Sequence, residues 1–104
     1  MATGTIPQPA VPLDFVIETK NWDNISVSSQ SYSESTVSIS KTGYTPIGLV
    51  GWEIANASSS GTNRTKCFLF RYYISGNTLY YSIGNYSTSS AKVRLYAQIL
   101  YKKD

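Results

Sequence analysis

At 104 residues, with 41% hydrophobic and 14% charged side chains, the chain suits one folded domain, not two, and its body is not disordered. The net charge of +3 is too small for a nucleic-acid footprint, so no nucleic-acid partner is expected. The lack of His and the lone Cys67 exclude an intrachain disulfide, a zinc site of Cys/His type and every His-dependent catalytic arrangement.

Residues 1–13 hold Pro7, Pro9 and Pro12, three of the four prolines. Proline fixes φ and removes a backbone donor, so this stretch reads as an extended arm or linker before a single domain over 14–104. It has no cationic stretch followed by an apolar core, so no signal peptide is expected. No run reaches the roughly 20 apolar residues of a membrane span, so no membrane insertion is expected.

From Asp14 onward, short apolar alternations are separated by turn residues. The pattern predicts seven strands, at 14–20, 24–29, 35–41, 47–55, 65–74, 77–83 and 91–102. Ser, Thr and Tyr are abundant and strong helix formers are sparse, which also favours sheet. Lys41-Thr42-Gly43 and Ser58 to Gly61 mark turns, and Ser75-Gly76-Asn77 marks a tight hairpin. The fold class expected is all-β, an antiparallel, jelly-roll-like β-sandwich of about seven strands.

Alternation also assigns faces. In the last strand, Ala91, Val93, Leu95, Ala97, Ile99 and Tyr101 form a core face. The predicted core adds Phe68, Phe70, Val50, Trp52, Ile54, Val37 and Ile39. Leu69, Tyr73, Tyr96 and Leu100 then fall on outer faces that should meet water, and they are expected to form an interface between copies of the chain.

Little in the chain can do chemistry. The six acidic residues form no recognisable acid pair, so no enzymatic activity and no catalytic residue are expected. Asn21-Trp22-Asp23-Asn24 is too short for a calcium loop and reads as a turn, so no metal and no cofactor are expected. Cys67 lies in a strand with no base nearby and reads as a small buried hydrophobe. Trp22, Tyr32, Tyr44 and Tyr86 lie near turns rich in Asn and Ser and are the candidate ligand-binding residues. Flat rings beside small polar groups suit saccharides: the rings stack on apolar sugar faces while the polar groups bond the hydroxyls.

Several segments look like parts of a known family. Gly43-Tyr44-Thr45-Pro46-Ile47-Gly48-Leu49-Val50-Gly51 is followed by a Ser75-Gly76-Asn77-Thr78 hairpin running to Asn85, and by a terminal Leu100-Tyr101-Lys102-Lys103. Over about residues 37–104 the chain resembles the C-terminal domains of tail-fibre and baseplate proteins from bacteriophages of gut bacteria. The resemblance implies a β-sandwich, commonly a homotrimer, at the virion surface beside other virion proteins, binding a bacterial cell-surface glycan or protein. It carries no catalytic residue. A purely structural virion piece (capsid decoration or fibre trimerisation) and a carbohydrate-binding module are the alternative expectations.

Overall fold

A computed structural model describes residues 14–104, and the proline-rich arm at 1–13 lies outside them. Six strands run in order: β1 (Phe15–Val27), β2 (Ser31–Ser38), β3 (Tyr44–Asn56), β4 (Cys67–Ser75), β5 (Thr78–Asn85) and β6 (Ala91–Lys103). A single 3-10 turn at Arg64–Lys66 precedes β4. The strands form two antiparallel three-stranded sheets, ordered β1-β6-β3 and β2-β5-β4. The expected all-β, two-sheet architecture is therefore present, with six strands in place of seven.

The strand count differs because residues 14–20 and 24–29, read as two strands, belong to one. Along β1 the register passes from Trp22 opposite Leu95 to Ile25 opposite Val93. Asp23 and Asn24 thus oppose the single residue Arg94, as in a β-bulge. Asn24 takes a φ of 56°, a left-handed value that Asn tolerates better than most residues. The turn-like composition of residues 21–24 encodes this bulge, not a chain reversal. β2 also starts earlier than expected, at Ser31, and ends before Ile39.

The core lies between the sheets. Ala91, Val93, Leu95, Ala97, Ile99 and Tyr101 of β6 are all buried, as alternation predicts. Leu79, Tyr81 and Ile83 of β5 face them, with Val27, Ile39, Ile54 and Leu69 completing the cluster. The Tyr101 hydroxyl donates to the Ile39 carbonyl at 2.7 Å, so a buried polar tip is satisfied.

Four of the predicted core residues and one predicted interface residue are placed differently. Phe68 and Phe70 are 42% and 47% exposed, whereas Leu69 is 8% exposed and faces the core. The cause is a second bulge. Leu69 pairs with Ile83 and Arg71 with Ser82, so Phe70 is an extra residue that reverses the alternation. Val50 and Trp52 are 50% and 44% exposed. Both lie on the edge strand β3: shifts at Pro46/Gly48 and Leu49/Gly51 leave Ile47 and Val50 without a partner on β6, whereas Trp52 pairs with Ala97 and is exposed at the edge of the sheet. Leu49 packs on the core instead of Val50.

Of the other interface candidates, Tyr73 is exposed on the outer face of the second sheet. Tyr96 and Leu100 are half-buried on the outer side of β6, away from its core face. These residues lie on opposite faces of the sandwich and do not form one patch.

Candidate functional site

The outer face of β2-β5-β4 gathers the exposed aromatic rings. In an antiparallel sheet, residues directly opposite each other share a face. Three rows cross this face: Tyr32–Gly84–Phe68, Glu34–Ser82–Arg71 and Thr36–Tyr80–Tyr73. The face divides into an apolar half and a polar half.

The apolar half is an open recess of about 570 Å³ around Tyr32, Phe68, Phe70, Gly84 and Tyr86. Tyr32 meets Phe70 edge-on, with centroids 5.7 Å apart and planes at 86°. Phe68 lies 5.8 Å from Phe70 and 6.4 Å from Tyr86. Gly84 is what lets Phe68 lie down on the sheet. A β-carbon at position 84 would come 2.9 Å from the Phe68 Cζ, closer than packed carbons allow. Lys66 Nζ sits 5.5 Å from the Tyr86 ring centroid and puts one cation at the rim.

Buried Asn85 holds the end of this recess together. Its side-chain NH₂ donates to the carbonyls of Val27 (3.2 Å), Ser28 (3.3 Å) and Ser89 (2.9 Å). Its Oδ1 accepts from the Ser87 N–H at 2.9 Å. One amide thus ties the end of β1, the end of β5 and the loop after β5. The Tyr86 N–H donates to the Lys66 carbonyl, and the Gln30 N–H to the Ser87 carbonyl. These bonds fix the backbone that presents Tyr86.

The polar half is a neighbouring recess of about 430 Å³ that includes Glu34, Thr36, Arg71, Tyr73, Tyr80 and Ser82. Tyr73 and Tyr80 stack with centroids 4.5 Å apart and planes at 5°. The Arg71 guanidinium lies 5.9 Å from the Tyr73 centroid. Glu34 and Arg71 flank Ser82 from opposite neighbouring strands. Neither belongs to a salt bridge among the described residues. A carboxylate, a guanidinium, two hydroxyls and a stacked tyrosine pair therefore converge on one shallow surface.

Two of the four expected ligand-binding residues, Tyr32 and Tyr86, meet on this face. The other two lie elsewhere. Trp22 is half-buried and stacks on Tyr81 at 6.4 Å, at the margin of the core. Tyr44 sits at the other end of the molecule, where Lys41 Nζ is 5.0 Å from its ring. Sequence reasoning missed Phe68, Phe70, Arg71 and Tyr80. A signal was present for the two phenylalanines alone: Cys67 to Ile74 has no polar face, so one of its apolar faces had to be exposed on a two-layer sheet.

The strongest charge contacts lie away from this face. Asp23 accepts from Arg94 at 2.8 Å, from the Ser58 hydroxyl and from the Ser58 N–H. Arg94, then Ser58, hold its carboxyl well below the ordinary value of 3.8. Glu18 is also lowered, chiefly by its hydrogen bond from Lys41. Burial pushes the Cys67 thiol up, away from the reactive thiolate. Among the described residues, no three His, Cys, Asp or Glu side chains stand together as a metal cluster would.

Comparison of the chain with protein-family models, with curated proteins and with solved structures finds no match.

Proposed function

We propose that the chain is a non-enzymatic recognition module of a phage virion, and that it binds a saccharide on the bacterial surface through the polar half of the β2-β5-β4 face. The virion assignment rests on the tail-fibre resemblance of residues 37–104. The binding reading rests on one observation: stacked Tyr73 and Tyr80 lie beside Glu34 and Arg71, which form no salt bridge among the described residues, in an open recess. A sugar's apolar face stacks on a tyrosine ring, and its vicinal hydroxyls suit a carboxylate and a guanidinium as acceptor and forked donor. A surface of this kind offers affinity without a catalytic group.

The test uses the labelled full chain, intact cells of gut bacteria and free cell-wall saccharide as competitor. Binding that the free saccharide displaces, and that Arg71→Ala and Tyr73→Ala each abolish, is the expected result. Cell binding indifferent to competitor and to both substitutions sinks the reading.

A further inference from the structure

Tyr32, Phe68, Phe70 and Tyr86 are 58%, 42%, 47% and 61% exposed on one face, and saccharide binding at the polar half makes no use of them. We propose that this apolar platform binds the proline-rich segment Pro7–Pro12 of a second copy of the chain, so that subunits join head to tail through their N-terminal arms.

The chemistries match. Pro9-Ala10-Val11-Pro12 has proline at the first and fourth positions, and Pro7 extends the run. Such sequences favour the polyproline II helix, which has three residues per turn and no internal hydrogen bonds. Its ordering cost is low because proline has already lost its φ freedom. Aromatic-lined grooves are the surfaces that take such segments, with proline rings set against aromatic faces. Residues 1–13 contain no charged side chain, which suits a platform of apolar rings with the Lys66 cation at its rim.

Reach decides between a subunit's own arm and another's. The Lys103 N–H donates to the Asp14 carbonyl, so the arm leaves the domain beside the end of β6. The platform is at the opposite end, because Asn85 bonds the Val27 and Ser28 carbonyls. β1 separates these ends and has 13 residues, or about 40 Å at the usual strand rise. Pro7 is seven residues from Asp14 and reaches only about 25 Å fully extended, and Pro12 about 7 Å. The Pro7–Pro12 segment therefore cannot reach the platform of its own subunit.

The sheet edges point the same way. On β1, Glu18 and Lys20 stand opposite Ile99 and Ala97 on the core side, which places charges inward on an edge strand. β3 carries Pro46 and two bulges, and β4 carries the Phe70 bulge. Such edges resist strand-to-strand pairing and leave faces as the route to association. An arm-to-platform contact is heterologous, so it must close into a ring or grow into a filament. A closed ring accommodates the expected trimer.

Light scattering on the full chain at micromolar concentration tests this. The wild type should have the mass of several subunits. Pro9→Ala/Pro12→Ala and Tyr32→Ser/Phe70→Ser should each be monomeric with unchanged circular dichroism. Mixing the two should restore association, because one supplies the platform and the other the arm. A peptide of residues 5–13 should dissociate the wild type. If the Tyr32→Ser/Phe70→Ser variant fails to fold, the proline variant and the peptide still decide. A monomeric wild type, a proline variant of wild-type mass, or a peptide without effect overturns the proposal. No sugar or cell enters these measurements, so their failure is separate from failure of the saccharide reading.

Discussion

At the scale of single residues, Gly84 and Asp23 have the clearest consequences. Gly→Ala in a strand ordinarily gains about 0.4–1 kcal/mol by restricting the unfolded chain. At position 84 the new methyl would meet Phe68 Cζ at 2.9 Å, so overpacking of about 1–3 kcal/mol outweighs that gain. Gly84→Ala should therefore destabilise the wild type by about 1 kcal/mol, measured by urea unfolding. In a Phe68→Ala background it should be neutral or stabilising, and an equal loss in both backgrounds would sever the link between the two residues. Asp23 sets a pH dependence. Its folded pKa is depressed, so its contribution is fully present above the unfolded value and is lost as pH falls toward the folded one. The urea midpoint should decline below about pH 5, and Asp23→Asn should flatten that decline while lowering the plateau at neutral pH. The reverse sign, stability rising on acidification, would contradict the Arg94 pairing.

At the scale of elements, bulges matter more than strand propensity. Leu69 and Ile74 both pack on the core though they are five positions apart, an odd spacing that strict alternation forbids. The Phe70 bulge supplies the missing step. Leu69→Ala should cost about 2–5 kcal/mol, as should Leu95→Ala on β6, because both side chains are buried. Phe70→Ala should cost under about 1 kcal/mol because nearly half of the ring is already in water. Chemical denaturation of the three variants checks the ranking, and a Phe70 loss as large as the Leu69 loss would restore the unbroken alternation. Segments without bulges were legible in the sequence. β6 reads correctly from Ala91 to Tyr101, and the hairpin between β4 and β5 falls where expected. Gly76 there adopts a φ of 59° in a two-residue loop, a position that calls for glycine. On β4 the extra residue Phe70 puts the residues before and after it in opposite phase, so Phe68 and Leu69 were exchanged while Ile74 lies on the core side. On β3 Ile54 is buried as expected, and the departures are Val50, which a bulge leaves without a partner, and Trp52, which is exposed at the edge.

At the scale of the whole molecule, each sheet has one inner strand flanked by two edges. β6 pairs along its length with both β1 and β3, and β5 with both β2 and β4. Their amide groups are bonded on both sides, whereas among the described residues every other strand has a side with no strand partner. Amide hydrogen exchange should therefore be slowest in β5 and β6 and faster in the outward-facing amides of β1 and β3. Uniform protection across β3 and β6 would mean that the β3 edge is covered in solution. The chain passes between the sheets after β1, β2, β3 and β5, and only the β4–β5 connection stays within one sheet. These crossings place Asn85 beside the end of β1 and put the aromatic platform at the end of the sandwich away from Asp14.

The sequence by itself determined the all-β class, the single core face of β6, the β4–β5 hairpin and the lack of histidine. Those properties depend on composition and on a local period of two, which need no partner strand to be read. Only the tertiary structure decided that Phe68 and Phe70 face water, that Leu69 does not, and that Tyr32 and Tyr86 share a surface while Trp22 and Tyr44 stand apart. Bulges are defined by the strand opposite, and residues distant in sequence become neighbours only through register. Register is set jointly by all six strands as they close around one core.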